Sequence, residues 1–485
     1  MKRFGHRRIP GPKSVSRCRL LAVVGMTFVL AGCAWQTRSQ LSRYEQAFNG
    51  GDYEEAAELA GEFGDTDVDT GASDDLLWTL QQASALQAAG AYRKSIRLFD
   101  TTETFFRIYD QTAAYQRWID QVTATLTNDA VLPYEGTLYD AIMVNSYKAL
   151  DFMALGEWGN ARVELNRARD RQRRAVDSFA EELAAERERL QQKPSGVSDM
   201  SEAESTAQQA LARTRQQLAA WSIYPRFVNP FATWLEGFFR LVRAEASGDY
   251  GRAADNLKRA AGMVPDNPAV QSDWAWAEDL ADGRRQIDDL PPTVWVLFEN
   301  GLGPVKREER VQVPVIVSSD HHAAIWTGFA FPRLVLRDKA VGRLEAELSG
   351  QQAASSVLAN MDAVVSTEFS ERLPAIMTRA LISSVAKTVL QYRLQKQAGG
   401  WGGLFALVYQ IMTTQADTRS WSSLPKTLEL AKLERGGSDN LVLELGRRHE
   451  VSLPESRFTL VWVRLPKIGA EPAIRVISLG DRARE

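Results

Sequence analysis

Residues 248–268 read GDYGRAADNLKRAAGMVPDNP, and the organisation of the chain follows from them. Glycine closes a turn in a conformation that other residues resist, so Gly248 marks the junction of two helices and Tyr250 fills the space beneath it. Ala253, Leu257 and Ala260 then recur at three-and-four spacing, which places small and apolar side chains on one helix face. Pro265 and Pro268 stop propagation of that helix. The same order, G-x-[YW]-x-x-[AS], appears three times upstream: Gly51 with Tyr53 and Ala56, Gly90 with Tyr92 and Ser95, and Gly156 with Trp158 and Ala161.

This pattern resembles tetratricopeptide repeats, in which glycine closes the inter-helix turn and the small residue permits close helix approach. The array is degenerate: Leu241 stands where the first helix of the last copy should carry a small residue, and the spacing of copies is uneven. Plain amphipathic hairpins without a superhelix are the alternative. Residues 41–288 are accordingly expected to form an all-α, TPR-like domain. Within it, Val176, Phe179, Leu183 and Leu190, and on the return Ala207, Leu211, Leu218 and Trp221, predict an inserted antiparallel hairpin over about 170–222. Its charges read as a solvated face.

Near Asp288 the period changes to two. Val294–Glu299 predicts a strand stopped at Asn300-Gly301, with further strands at 311–317 and 323–331. Helical spacing returns with Val357, Met361, Val364, Val365 and Phe369, and a second helix is expected to begin at Pro374. Three late strands are expected at 427–433, 440–445 and 458–465. Residues 289–485 are thus expected to form a smaller α+β domain, with helices on one face of an antiparallel or mixed sheet. Inside it, the apolar run carrying Trp401, Leu404, Phe405, Val408 and Met412 follows paired glycines. It reads as a buried helix, or as a contact with lipid or a partner subunit, and is too short to span a bilayer.

At the other end, seven Lys and Arg residues precede an apolar stretch, Leu20–Leu30, as in a secretory signal. Leu30-Ala31-Gly32-Cys33 resembles the lipobox of bacterial lipoproteins. That resemblance implies a signal peptide over 1–32, a lipid on Cys33, and a lipidated tether over 33–40 that reaches at most ~25 Å. Ala34, where an aspartate would imply retention at the inner membrane, favours an outer-membrane, periplasm-facing location. Removal of residues 1–32 leaves 51 basic against 61 acidic residues, a net charge of −10, which argues against nucleic acid as the main partner. Cys18 leaves with the signal, so no intramolecular disulfide is expected.

Chemistry-bearing patterns are few. His321 and His322 sit in a turn without metal-ligand spacing, and no nucleophile elbow, zinc-protease, P-loop or dinucleotide motif is present, so no cofactor, metal or catalytic residue is assigned. Asp417, Arg419 and Trp421 form a polar cluster that reads as a structural turn or a ligand-holding loop. Phe298-Glu299-Asn300-Gly301, Phe331-Pro332, Leu373-Pro374-Ala375-Ile376 and Asp417-Thr418-Arg419-Ser420-Trp421, together with the Gly248 repeat, are similar to a poorly characterised family of Gram-negative lipoproteins. The resemblance implies a repeat-bearing outer-membrane lipoprotein in a cell-envelope setting, with no catalytic residues to carry over. The expected role is a non-enzymatic scaffold or adaptor. The concave side of the repeats would bind a protein segment, and the α+β domain would bind a second envelope partner such as another lipoprotein. An oligomerising component of an export or surface-structure machine is the alternative. A third reading is a wall or glycan hydrolase using Glu299 or Asp417.

Overall fold

The computed structural model describes residues 39–111, 133–134, 136–189, 197–221, 224, 228–317, 324–398 and 415–480. Helices fill the first part: α1 (39–50), α2 (Tyr53–Gly64), α3 (Leu76–Ala89), α4 (Tyr92–Gln111), α5 (Leu138–Ala154) and α6 (Trp158–Arg189). After a short strand β1 (Val197–Asp199) come α7 (Ser201–Ala219), α8 (Pro230–Val242), α9 (Ser247–Met263) and α10 (Pro268–Ala281). Each glycine motif lies where one helix turns into the next; the helices flanking Gly90, Gly156 and Gly248 pack together as hairpins, and α1 and α2 share one small core through Tyr44, Phe48 and Tyr53. None of the described helices is long and apolar enough to cross a membrane.

Three of the four glycines take the left-handed conformation the turn requires: Gly51 at φ 87°, Gly90 at 85° and Gly156 at 72°. Gly248 does not. It is the second residue of α9, and the turn is made by residues 243–246. The Asp249 carboxylate does the work there, accepting from the Glu245 N–H at 3.0 Å and bonding Arg162 and Arg240. A helix N-terminus satisfied by a carboxylate needs no glycine in a left-handed turn.

Gly51 is constrained twice, since an added Cβ would lie 2.4 Å from the Glu471 carbonyl oxygen, whereas at Gly156 nothing lies within 4 Å. Gly156→Ala is expected to cost about 1–2 kcal/mol, the left-handed penalty alone, and Gly51→Ala more, because the chain at Glu471 must also shift. Urea melts of the two variants measure the difference, and equal losses would contradict the close approach.

The strand-rich part is built around β2 (Thr293–Asn300), every residue of which is buried. It lies at the centre of a five-stranded sheet with β7 (Ser356–Asn360), β8 (Thr427–Glu434), β11 (Phe458–Leu465) and β12 (Ala473–Ser478), in the order β12-β11-β2-β8-β7. The β11–β2 pair is parallel and the others antiparallel. Alternation along β2 explains its complete burial: Trp295 and Leu297 face the helices, while Val294, Val296 and Phe298 face a second core. That second core is closed by a four-stranded sheet of β5 (Glu345–Leu348), β6 (Gln351–Ala354), β9 (Asn440–Glu444) and β10 (Arg448–Ser452). The layers are therefore helices, sheet and sheet.

The remaining strands, β3 (Val305–Val317) and β4 (Ala324–Val335), form a long hairpin that pairs with β1. It packs against α7 and the long helix α11 (Met361–Ala398). Of the residues expected to form the seam of the inserted hairpin, Leu190 and the side chains of Val176, Phe179 and Leu183 lie outside the described residues, and the return limb is helix α7. Ala207 and Leu218 of the return helix are buried.

Two local expectations are corrected. Val357 lies in β7 rather than in a helix, because Ser356–Asn360 pairs with β8 and the helix starts only where Asn360 accepts from the Asp362 N–H at 3.0 Å. Pro374 does not begin a second helix; it lies inside the unbroken α11. An interior proline costs ~3 kcal/mol. Leu373, Ala375, Met377 and Leu381 are all buried around it, and packing on both sides of the proline offsets that loss.

Candidate functional site

A fully buried ion pair lies where the helices meet the five-stranded sheet. The inward alternation of β2 continues from Leu297 to Glu299, and that of β11 from Trp462 to Arg464. Because β2 and β11 run parallel in register, Arg464 stands beside Glu299, and the two bond directly while fully desolvated. Trp462 Nε1 donates to the same carboxylate at 3.1 Å, and Arg464 reaches back to the Ser84 carbonyl of α3 at 3.3 Å. The Tyr147 ring of α5 lies 5.2 Å from the guanidinium. Burial works to lower the Arg464 pKa, but Glu299 overrides it and the guanidinium is held above its ordinary value.

Residues 415–425 complete this joint. Asp417 and Arg419 pair through two bonds of 2.8 and 2.9 Å, and the Arg419 N–H donates to Asp417 at 3.0 Å, which closes a tight turn. Burial would raise the Asp417 carboxyl, but the Arg419 bonds outweigh it and hold the group below the usual carboxylate range. That turn delivers Trp421 into the helical layer. Its ring packs on Phe99 and Tyr147 at centroid distances of 6.0 Å, and its indole N–H donates to Ser84 Oγ at 2.8 Å. Gln81 of α3 then bonds Ser422 at 2.9 Å and Ser423 at 2.7 Å. The inward face of α3 and α5 is therefore occupied by the chain's own loop and strand.

A second joint is centred on Asp273 of α10. Its carboxylate accepts from Trp234 Nε1 and Trp295 Nε1, each at 3.0 Å, and from Lys432 Nζ at 2.8 Å. Those three donors come from α8, β2 and β8. The Lys432 ammonium also lies 3.2 Å from the centre of the Trp276 ring. Burial lowers the Lys432 pKa, and Asp273 compensates only in part.

The residues singled out by sequence fall in different places. Tyr53, Ala56, Ala161 and Ala253 are buried in helix-pair interiors, and Tyr92, Trp158 and Tyr250 are partly buried against the same core. Pro265 lies in the short link between α9 and α10, and Asn267 caps α10 while its amide donates to the carbonyls of Ser356 and Val357 at 3.0 and 3.1 Å. Glu299 and Asp417, the two acids considered for hydrolysis, are each bonded to an arginine. Cys33, His321, His322, Trp401, Leu404, Phe405, Val408 and Met412 lie outside the described residues. Asp273, Arg464 and Ser84 were not foreseen. The signal for Asp273 is its place in the stripe Val270, Asp273, Ala277, Leu280, where a carboxylate interrupts an otherwise apolar face. No group of three or more His, Cys, Asp and Glu suited to a metal ion occurs among the described residues.

A surface cleft of about 210 Å³ opens between the β9–β10 and β11–β12 turns, lined by Leu445, Arg447, His449, Leu465, Ile468 and Glu471 among others. Ile468 is 66% exposed at its rim, and Trp326 on the β3–β4 hairpin is exposed to the same degree. Compared with known proteins, the chain matches no family model, no curated protein and no solved structure.

Proposed function

We propose that this chain is a lipid-anchored, non-enzymatic scaffold of the outer membrane, facing the periplasm and holding protein partners of the cell envelope, other lipoproteins among them. The observation that carries the reading is the continuity of the core between the helical and sheet-bearing parts, with Trp421 and Trp462 packed among Leu80, Phe99 and Tyr147. A body joined in this way presents fixed surfaces, as a scaffold requires. The TPR-like reading of the four glycine motifs belongs to the same proposal. Residue 39 already lies in helix α1 and is six residues on from Cys33, so lipid on Cys33 would hold the helical part within at most ~22 Å of the anchor. Partners would then meet the outward surfaces, because the inward helical face is already covered.

Crosslinking in cells followed by mass spectrometry tests this. Envelope proteins joined to surface residues of the helical or sheet layers are expected, and they should disappear with Cys33→Ala, which leaves the chain unanchored. A chain that crosslinks to nothing, or fractionates with the cytosol, overturns the proposal. The exposed Trp326 favours a second reading, an oligomerising part of an export or surface-structure machine. In that case Trp326→Ser lowers the sedimentation coefficient of the full chain in detergent; an unchanged value rules that contact out.

A further inference from the structure

Asp151 lies on α5 one turn beyond Tyr147, and it is wholly buried. Its Oδ1 accepts from Gln87 Nε2 of α3 at 2.8 Å, and its Oδ2 lies 2.8 Å from Ser95 Oγ of α4. Both partners are neutral and themselves buried. The groups that face Asp151 are Gln87 from α3, Ser95 and Tyr92 from α4, Glu299 from β2 and Arg464 from β11, and on its own helix Tyr147. Arg475 of β12 faces the Tyr92 end. Of the cations, Arg464 is already bonded to Glu299, and Arg475 donates to the Ala88 carbonyl at 2.7 Å. An ionised carboxylate in such surroundings has neither water nor an uncommitted cation to carry its charge.

We propose that Asp151 holds a proton shared with Ser95, and that this proton latches α3, α4 and α5 together beneath the sheet, so that its loss to solvent base loosens the joint in alkaline medium. The 2.8 Å contact between Oδ2 and Ser95 Oγ suits a carboxylic acid donating to the hydroxyl as well as the reverse. Burial is the main reason that the Asp151 pKa is pushed up to about 8, against hydrogen bonds from Gln87 and Ser95 that lower it. The folded value therefore stands above the ordinary value of about 3.9. Stability from the proton is complete below about pH 4 and is lost as pH rises toward 8, with no further change above that. After release, two buried carboxylates, Asp151 and Glu299, share the field of one guanidinium. The latch does not depend on the anchor or on any partner.

The test uses the full chain in detergent, melted between pH 5 and pH 9, with Asp151→Asn as the permanently neutral form. Asparagine keeps an oxygen for Gln87 and offers an amide N–H to Ser95. The parent Tm is expected to fall by roughly 2–4 °C or more relative to the variant across that range, the two agreeing most closely at pH 5. Hydrogen exchange within residues 76–89, 92–111 and 138–154, corrected for intrinsic rates, should quicken toward pH 9 in the parent and not in the variant. Parallel melting curves, or exchange that responds to pH equally in both, overturn the latch. Should the variant fail to fold, the carbon-13 shift of the Asp151 carboxyl in the parent decides: a midpoint above 7 supports the proposal, and one below 5 overturns it.

Discussion

Asp273→Ala is expected to destabilise the protein by about 3–5 kcal/mol, the loss typical of breaking a buried ion pair by removing one partner. Three donors converge on this carboxylate, and each loses its acceptor at once: the indoles of Trp234 and Trp295 and the ammonium of Lys432. Burial already lowers the Lys432 pKa, and without Asp273 that charge is left with the Trp276 and Trp295 rings, the Ser272 hydroxyl and the more distant Glu434. Adding Lys432→Met should therefore restore part of the stability, because it removes the charge left unpaired. Asp273→Asn should fall between, since one amide oxygen cannot serve all three donors. Guanidinium melts followed by tryptophan fluorescence report directly on this joint, with Trp234, Trp276 and Trp295 in or beside it. An Asp273→Ala variant that loses under about 1 kcal/mol would show that the site tolerates orphaned donors, contrary to the ordinary cost of burying them.

The joint also explains why some of the fold is legible in the chain and some is not. The helix hairpins are visible because their signals are local: glycine, aromatic and small residue lie within six positions, and three of the glycines take left-handed turns. Strands β2, β8 and β11 are visible because β-branched and aromatic residues alternate through them. The short strands β5, β6, β7, β10 and β12 are not foreseen, since four to six residues of mixed polarity gain their strand character from the neighbour they pair with. Pro374 misleads for the opposite reason. Its local penalty is real, and tertiary burial on both sides of it overrides the penalty.

The candidate site shows the same division. Asp417 and Arg419 are two residues apart, and their pairing around a turn can be read directly. Nothing local says that Trp421 will meet Ser84, 337 positions away, or that the Asp273 stripe faces three donors from three elements. What can be read is the anomaly itself: a carboxylate in an apolar helix stripe, and a charge ending the inward alternation of two strands. Sequence gives the oddity; the partner needs the fold. The expectation of two separate domains has the same origin, because a change of period at residue 288 marks where strands begin and says nothing of how much apolar surface the two parts share. Core residues of both parts make one cluster, so a break at either joint should be felt across the molecule.

Arg464→Met alone is expected to cost about 3–5 kcal/mol, and so is Glu299→Leu alone, whereas the pair of substitutions together should cost much less than their sum. Either single change leaves the other charge buried without its counter-ion: Glu299 would keep the Trp462 indole, and Arg464 the Ser84 carbonyl and the faces of Tyr147 and Phe48. Removing both replaces a desolvated pair with apolar volume beside Trp462 and Tyr147, and the remaining loss is the one indole donor and the one carbonyl that those charges had satisfied. A double-mutant cycle by guanidinium unfolding measures the coupling, which is expected to favour the double variant by at least 2–3 kcal/mol over additivity, on the order of the larger couplings seen between groups in contact. The cycle also bears on the Asp151 latch. With Arg464 gone, no guanidinium tempers the Asp151 carboxylate, so its pH-dependent loss of stability should continue to higher pH in Arg464→Met and shrink once Asp151→Asn is added. Additive single effects, or a pH profile that Arg464→Met leaves unchanged, would mean that the two buried carboxylates do not share one cation, and the link between sheet and helices would then rest on packing alone.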